Sequence, residues 1–319
     1  MGILPDQMVT QKIGFLFPGQ GAQYVGMGQD AAGEFPTVKK LYEQADQILN
    51  VPLSRYCSEG PEETLTRTLY AQPAIFVTSL ALFFLFQEKF PEIKAQFVAG
   101  LSLGEFSALV ACESLSFSDG LKLVWARAES MEKAASVNPG TMVSIMGLTQ
   151  KECTQLANES GAQLANLNAP DQFVLSGTEP SVNRAAELAD QMGAKRTLRL
   201  KVSGAFHSSL MEPARERFGE ALKKATFQKP QCTFIPNVTG SAESKPEKIR
   251  LLLAEQLTHP VRWIETIQNA KKQGIRHFIE LGPGRVLKGL AKRIDPALEV
   301  LSFEKVADLE TLESSFSKV

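Results

Sequence analysis

The sequence predicts an α/β protein with a large domain on a mostly parallel sheet and a small unit inserted into it. Three observations support this prediction. Short apolar strands alternate with helices along most of the chain, as in parallel sheets covered by helices. Residues 137–203 depart from that pattern and follow the order β-α-β-β-α-β. A serine between two glycines, in Gly100-Leu-Ser-Leu-Gly104, connects an apolar strand directly to a helix.

The composition argues against several classes of function. The 319 residues suffice for one large domain or two unequal ones. A net charge of −1 does not favour nucleic-acid binding. The four cysteines lack metal-ligand spacing, which predicts no metal site and a reducing, cytoplasmic compartment. No signal peptide is expected, because the N-terminus lacks a basic segment followed by an apolar one.

The first strand, Lys12–Phe17, ends in the glycine turn Pro18-Gly-Gln-Gly21. A polar helical region follows as far as Leu53, and a short helical turn is expected at 64–69. The segment 74–86 is the most apolar of the chain. It is too short to span a bilayer, so it predicts a helix at about 72–90 that is buried on most faces, with no membrane contact.

The strand 97–100, the serine turn and the helix 104–111 have the pattern of a nucleophile elbow, as in an α/β-hydrolase-like domain. The glycines let the backbone turn tightly and leave the Ser102 hydroxyl exposed. The Leu103 amide lies at the helix N-terminus, where it can stabilise developing negative charge. The alternative is that Ser102 only caps the helix between two turn glycines.

The inserted unit has a defined element order. Strands are expected at 141–146, 163–168, 172–176 and 196–202, with helices at 149–159 and 179–192. This βαββαβ order is ferredoxin-like. It divides the chain into a large α/β catalytic domain, residues 1–136 and 204–319, and a small ferredoxin-like domain, residues 137–203.

The large domain continues on both sides of this unit. An amphipathic helix at 118–135 precedes it. A glycine turn, Gly282-Pro-Gly284, follows the last expected strand, and residues 310–319 are expected to fray. The other elements expected after the insertion are helices at 208–224, 245–257 and 263–273 and strands at 233–236 and 277–281.

A serine nucleophile needs a base within hydrogen-bonding distance, and the chain has three histidines. His207 follows the last strand of the inserted unit, where the chain re-enters the large domain and can reach a cleft. His259 lies in a polar loop before a proline, and His277 opens an apolar strand. His207 is therefore the favoured base, with His259 as the alternative.

Two further residues are candidates for the same site. Parallel strands end at one edge of a sheet, so the Gln20 amide, which follows the first strand, can act as a second oxyanion donor. A simple turn is the alternative. Arg127 lies among apolar neighbours in the amphipathic helix, where an unpaired guanidinium is costly. It either pairs with a buried acid of the protein or binds a substrate carboxylate bidentately.

Seven motifs occur in a fixed order along the chain. They are Phe17-Pro-Gly-Gln-Gly-Ala-Gln23, Gln72-Pro73, Gly100-Leu-Ser-Leu-Gly-Glu105, Arg127 with Met131, Asn166-x-Asn168-x-Pro170-x-Gln172, Gly204-Ala-Phe-His-Ser208 and Glu280-Leu-Gly-Pro-Gly284. Together they resemble the malonyl-CoA:acyl-carrier-protein transacylases, in the acyltransferase family of type II fatty-acid and polyketide synthesis. The resemblance extends from about residue 12 to about residue 304.

The resemblance implies a ping-pong transfer, in which a serine takes malonyl from coenzyme A and passes it to the phosphopantetheine thiol of acyl carrier protein. Matched by position, Ser102 is the nucleophile and His207 the base and acid, and the Gln20 and Leu103 amides form the oxyanion hole. The backbone carbonyl of Gln256 would orient His207, in place of the aspartate of a Ser-His-Asp triad. No metal or cofactor is implied, because malonyl-CoA is a substrate.

The resemblance also implies how the acyl group is chosen. A guanidinium that holds the malonyl carboxylate would be left unpaired by acetyl or butyryl, which costs on the order of 2–5 kcal/mol. A phenylalanine before the histidine resembles the malonyl-selective version of its motif, because a branched α-methyl would clash with it. The substrate-binding residues implied are Arg127, Gln72, Phe206, Met131 and Asn168.

The sequence departs from many family members at Leu101, where those members carry histidine; this affects fine tuning of the site, not the reaction.

The implied partners are malonyl-CoA and acyl carrier protein, both of which need positive charge on the surface that binds them. The alternative for any single basic residue is that it lies on a solvent-exposed face, balanced by nearby acids. The basic residues that can supply this charge are Lys195, Arg196, Arg199, Lys201, Arg285, Lys288, Lys292 and Arg293.

Several alternatives remain at this point. A hydrolase of acyl carrier protein esters would have to lack the arginine, and a carrier-binding scaffold without catalysis would not need Ser102 and His207. A general esterase would have its acid before a late histidine. A polyketide-pathway malonyltransferase is the closest alternative, although a free-standing chain favours fatty-acid synthesis. A monomer in the cytoplasm is expected.

Overall fold

The computed structural model describes residues 12–316. Its strands, in chain order, are β1 (Ile13–Phe17), β2 (Ala95–Gly100), β3 (Thr141–Met146), β4 (Gln163–Ala169), β5 (Gln172–Gly177), β6 (Arg196–Arg199), β7 (Thr233–Phe234), β8 (His277–Leu281) and β9 (Glu299–Phe303). Its α-helices are α1 (Gln29–Glu34), α2 (Pro36–Leu49), α3 (Leu53–Glu59), α4 (Glu62–Thr66), α5 (Thr68–Lys89), α6 (Gly104–Ala111), α7 (Phe117–Val137), α8 (Gln150–Ser160), α9 (Glu179–Gln191), α10 (Glu212–Lys224), α11 (Pro246–Glu255), α12 (Trp263–Lys272), α13 (Val286–Ile294) and α14 (Asp308–Phe316).

The larger sheet is wholly parallel and has the spatial order β7-β2-β1-β8-β9. All five residues of the central strand β1, Ile-Gly-Phe-Leu-Phe, are buried. A strand that is apolar on both faces fits a sheet covered by helices on both sides. The predicted α/β class with a parallel sheet is confirmed.

The smaller sheet contains β3 to β6 in the order β4-β5-β3-β6, with every neighbouring pair antiparallel. Helices α8 and α9 connect its outer strands to the middle ones, so the chain order is β-α-β-β-α-β. A backbone bridge ties this sheet to the segment before α12: the Leu167 amide donates to Val261 O at 2.9 Å, and the Val261 amide donates to Ala165 O at 2.9 Å. The smaller sheet is therefore joined through β4 to the segment that precedes α12.

Helix α5 is longer than the sequence predicts, because it begins at Thr68. Within residues 12–316 it is the one helix long and apolar enough to cross a membrane, so the expectation that this segment is too short was wrong. However, 83% of its most apolar window is buried inside the protein. Phe83 and Phe86 pack edge-on against Phe15 of β1, as expected for a core helix.

Two elements near the C-terminus differ from the expectations. Strand β9 was not predicted, and the chain up to Phe316 does not fray but forms α14. Leu312 is fully buried, and the Phe316 ring lies 5.3 Å from that of Phe90. This apolar contact with the core holds the helix in place. Residues 1–11, to which the signal-peptide prediction applies, and residues 317–319 lie outside the described part of the chain.

Close backbone packing brings the carboxyl ends of β1 and β2 together. A Cβ built on Gly104 would lie 2.1 Å from Phe17 O, and one built on Gly19 would lie 2.4 Å from Leu101 O. A Cβ on Gly100 would lie 1.8 Å from the carbonyl carbon of Gly104. Only glycine fits these positions, so the loop after β1 can press directly against the serine turn after β2.

We expect Gly104→Ala to lower the free energy of unfolding by at least about 3 kcal/mol, because its Cβ meets backbone atoms that cannot rotate away. Urea denaturation measures this change. The matched control is Gly219→Ala in α10, where a Cβ would meet open space. That control should gain about 0.5–1 kcal/mol from helix propensity. Equal effects of the two substitutions would contradict the close-packing argument.

Candidate active site

The serine turn holds Ser102 in a strained backbone conformation with φ of 52°. Asn237, three residues after β7, clasps this turn. Its Oδ1 accepts from the Ser102 amide at 2.6 Å, and its Nδ2 donates to Gly100 O at 2.7 Å. Asn237 is fully buried, so water does not compete for these bonds. A side chain at the end of a third strand thus fixes the turn.

His207 lies beside the serine. Its Nε2 is 2.8 Å from Ser102 Oγ, and its Nδ1 is 2.8 Å from the backbone oxygen of Gln256. A carbonyl oxygen can only accept, so Nδ1 carries the ring proton and Nε2 is free to accept from the hydroxyl. His207 also has a positive φ, 59°, which aims the ring into the site. The geometry is that of a nucleophile paired with an oriented base.

Burial keeps His207 in its neutral form. The ring is 5% exposed, and its desolvation, together with the positive Arg127 nearby, lowers the pKa of His207 to about 4. A neutral imidazole at neutral pH can take a proton from the serine hydroxyl. His207 therefore has the protonation state that a general base needs.

The other two histidines lie elsewhere. His259 is exposed, with its Nδ1 2.8 Å from the backbone oxygen of Glu255. His277 lies at the start of β8, 3.2 Å from Glu299. Within residues 12–316 neither ring forms a hydrogen bond with Ser102. The structure thus brings only His207 against the serine.

Two backbone amides face no partner within the described chain. Neither the Gln20 amide nor the Leu103 amide donates a hydrogen bond to another of residues 12–316. Gln20 follows β1, and Leu103 directly precedes α6, so both lie at the carboxyl edge of the larger sheet. The Gln20 side chain is held by Thr68, to which its Nε2 donates at 3.1 Å. Free amides at a helix N-terminus are suited to bind a developing oxyanion.

Arg127, on α7, is 1% exposed and has only neutral hydrogen-bond acceptors. Its Nη1 donates to Gln72 Oε1 at 2.7 Å, and its Nη2 donates to Ser102 Oγ at 3.0 Å and to Gln256 Oε1 at 2.9 Å. Its Nε has no partner within the described residues, and it forms no ion pair there. The guanidinium carbon lies 5.7 Å from the centre of the Phe106 ring.

Of the two alternatives for Arg127, direct pairing with a buried acid of the protein is not observed among residues 12–316, and binding of a substrate carboxylate remains a prediction. No carboxylate bonds to it directly, although the buried Glu105 attracts it and counteracts the fall in its pKa. Burial nevertheless lowers the pKa of Arg127 to about 10, so the group stays positively charged at neutral pH. A buried cation without a bonded anion is costly, and an anionic ligand next to Ser102 would lower that cost.

The remaining predicted site residues are spread around this group. Gln72 Nε2 lies 3.3 Å from Met131 Sδ, so both side chains pack beside Arg127. Phe206 is 5% exposed and precedes His207. Asn168, at the end of β4, is buried with its Oδ1 unpaired among residues 12–316, and no hydrogen bond links it to the serine, the histidine or the arginine.

Two buried residues of this group, Glu105 and Asn237, were not predicted from the sequence. Glu105 ends the serine motif, and Asn237 follows a predicted strand. Glu105 is 1% exposed, and its Oε2 accepts from the Asn237 amide at 3.1 Å. Side chains just beyond parallel strands converge, so the position of Asn237 could have been noticed from the sequence.

No group of three or more histidine, cysteine, aspartate or glutamate side chains within residues 12–316 is arranged to hold a metal ion. All four cysteines are free, and three of them are buried. The absence of a cofactor requirement remains a prediction.

A serine on a strand-to-helix turn, hydrogen-bonded to a neutral histidine, is an arrangement by which enzymes form covalent acyl intermediates. Residues 14–303 match the family model for the acyl transferase domain. The chain therefore belongs to the acyl transferase family, among the malonyl CoA-acyl carrier protein transacylases.

Individual relatives agree with this assignment. The chain is 43% identical to a malonyl CoA-acyl carrier protein transacylase of Bacillus subtilis (strain 168), over 95% of each chain. The crystal structure of an acyl carrier protein S-malonyltransferase from Vibrio cholerae matches with a TM-score of 0.91 and 37% identity, covering 95% of this chain and 100% of that one. A malonyl-transacylase in complex with its type II PKS acyl-carrier protein matches with a TM-score of 0.90 and 37% identity, covering 94% and 98%.

The lowered pKa of His207 has a kinetic consequence. Its proton-accepting form is present above the pKa and is lost below it. We expect the rate at which a neutral fluorophosphonate labels Ser102 to be half-maximal near pH 4, not near the ordinary histidine value of about 6.5. Intact-protein mass measures the rate, and circular dichroism verifies that the protein is folded at each pH. A midpoint at about pH 6 or above would contradict the burial argument.

Proposed function

We propose that this protein transfers the malonyl group from malonyl-CoA to the phosphopantetheine thiol of acyl carrier protein through an ester on Ser102. The observation that carries the proposal is the buried Arg127 guanidinium, which lies 3.0 Å from Ser102 Oγ and has only neutral partners. An acyl group with a terminal carboxylate supplies the missing anion at that place. The names of the matched relatives support the same substrate and carrier.

In the first half-reaction, His207 Nε2 takes the proton of Ser102 Oγ as the oxygen attacks the thioester carbonyl. The Gln20 and Leu103 amides stabilise the tetrahedral oxyanion. The carbon–sulfur bond then breaks, and His207 returns the proton to the coenzyme A thiolate. The products are malonyl-Ser102 and free coenzyme A.

The second half-reaction runs the same steps in the opposite direction. His207 takes the proton of the carrier thiol, and the sulfur attacks the ester carbonyl. The serine oxygen leaves and recovers the proton from His207. The Gln256 carbonyl accepts from Nδ1 throughout, so it stabilises the imidazolium that forms in each half-reaction without an aspartate.

Substrate choice follows from charge in a buried site. The malonyl carboxylate pairs with Arg127, beside Gln72 and Met131, whereas an acetyl group leaves the guanidinium unpaired at a cost on the order of 2–5 kcal/mol. Phe206, next to the base, excludes a branched α-methyl group. Asn168 is assigned to substrate binding from its motif, and its unpaired Oδ1 supports that assignment.

Positive charge for the coenzyme phosphates and the acidic carrier comes from the basic residues that lack an ion-pair partner among residues 12–316. Arg199 pairs with Glu179, Arg285 with Glu304 and Asp308, and Arg293 with Asp171, so these three are partly neutralised. Within residues 12–316 the other five form no ion pair. They are Lys195, Arg196, Lys201, Lys288 and Lys292.

We also propose a domain architecture and a cellular setting for the protein. The larger sheet belongs to an α/β-hydrolase-like catalytic domain, residues 1–136 and 204–319, and residues 137–203 form an inserted ferredoxin-like domain. The separate antiparallel sheet of β3 to β6 supports this division. The protein acts as a cytoplasmic monomer without membrane contact and supplies fatty-acid extender units. Polyketide supply is the alternative, because one matched transacylase serves a type II PKS carrier.

We expect brief incubation with malonyl-CoA to add one malonyl group to the wild type and none to Ser102→Ala, because the ester forms on that hydroxyl. Arg127→Ala should lose malonyl loading and gain acetyl loading, with the malonyl-to-acetyl ratio falling by about 30-fold or more. Intact-protein mass after exposure to each coenzyme A thioester measures both.

The outcomes separate the alternatives. Retained malonyl preference in Arg127→Ala would make the arginine structural and favour a hydrolase of acyl carrier proteins. Absence of any adduct on the wild type with either donor would favour a carrier-binding protein without catalysis. Release of acyl groups to water at the rate of transfer would also count against the proposal.

A further inference from the structure

Glu105 is a buried carboxyl group one helical turn after the nucleophile, with no cation bonded to it. Its Oε2 accepts from Gln256 Nε2 at 2.5 Å and from the Asn237 amide at 3.1 Å. No ion pair within residues 12–316 includes Glu105. Because Glu105 accepts hydrogen bonds only from neutral donors, it does not stabilise the protein through a salt bridge. Its contribution is to orient the groups that donate to it.

Glu105 is one of three groups, with Ser102 O and Arg127, that fix which way the Gln256 amide faces. The Asn237 N–H occupies the same carboxyl oxygen, so that oxygen acts as an acceptor and must be met by the Gln256 amine. The Gln256 Oε1 then faces Arg127 Nη2 at 2.9 Å, and Nε2 also donates to Ser102 O at 3.0 Å. The reverse orientation would set amine hydrogens against the guanidinium, donor against donor.

We propose that Glu105 is a positioning residue for recognition of the acyl carboxylate: through Gln256 it fixes Arg127 beside the Ser102 hydroxyl. This inference rests on the proposed function. The contacts form one continuous path from Glu105 to Gln256 and from Gln256 to Arg127, and every side chain on it is at least 99% buried. In such surroundings a lost acceptor is not replaced by bulk water, so misorientation persists.

The charge of Glu105 is consistent with this role. Desolvation raises the pKa of Glu105 to about 7, against the opposing effects of its hydrogen bonds and of Arg127. Near neutral pH the carboxyl group therefore neutralises Arg127 only in part. The guanidinium keeps net attraction for a substrate carboxylate while its side chain stays oriented.

The test compares Glu105→Ala with the matched control Glu105→Gln, which keeps an acceptor oxygen for Gln256 and Asn237. The readout is the malonyl-to-acetyl ratio of kcat/KM for serine acylation. A general loss of serine reactivity lowers kcat/KM for both donors equally and therefore cancels in this ratio. We expect the ratio to fall at least tenfold in Glu105→Ala and to stay within about threefold of wild type in Glu105→Gln.

A second variant keeps the test decisive if Glu105→Ala does not fold. Gln256→Met removes the amide but retains the backbone carbonyl that binds His207, and it should lower the ratio as Glu105→Ala does. In the Gln256→Met background, removing the Glu105 carboxyl should change the ratio no further, since it acts through Gln256. An unchanged ratio in either single variant would overturn the inference.

Fluorophosphonate labelling separates this inference from the proposed function. A wild type that is labelled on Ser102 by the neutral reagent but accepts no malonyl refutes the proposed function, and the inference with it. A wild type that prefers malonyl, alongside a Glu105→Ala variant with the same preference, refutes the inference alone.

Discussion

The arrangement of the site depends on one constraint, the burial of a positive charge beside a serine. Arg127 is 1% exposed, and no carboxylate among residues 12–316 bonds to it. Neutral acceptors on three other elements therefore have to hold it: Gln72 from α5, Ser102 from the elbow and Gln256 from the end of α11. These contacts satisfy part of the guanidinium but do not neutralise it. We propose that this unmet charge, next to the hydroxyl, favours an anionic acyl group.

A second constraint is backbone strain at both reacting residues. Ser102 and His207 have positive φ, a conformation that costs a non-glycine residue on the order of 1–3 kcal/mol. The packed glycines of the elbow and the two-point clasp of Asn237 offset this cost at the serine. The 2.8 Å contact with the Gln256 carbonyl does the same at the histidine. The groups that stabilise these two strained conformations therefore also orient the serine turn and the His207 ring.

Much of this could be predicted from the sequence, and the remainder could not for physical reasons. The elbow is local, so five residues and their flanking elements predict it; Gln20 follows from the rule that parallel strands end at one edge. Arg127 and His207 were predicted as site residues from their residue types and from the motifs that contain them. The hydrogen bonds of Glu105 to Asn237 and Gln256 join residues more than 130 positions apart, and no local pattern records them. The position at which α5 begins and the helical conformation of α14 likewise depend on core contacts that form only in the folded chain.

The most direct test of the central claim changes the substrate and leaves the protein intact. The carboxamide analogue of malonyl-CoA keeps the size and shape of the acyl chain, but it has no charge and replaces one acceptor oxygen of the carboxylate with an NH₂ donor. If the unpaired guanidinium selects the acyl group, the wild type should acylate Ser102 from malonyl-CoA with a kcat/KM about 30-fold or more above that for the analogue. Equal values for the two donors would show that shape alone sets the choice, and would contradict the account.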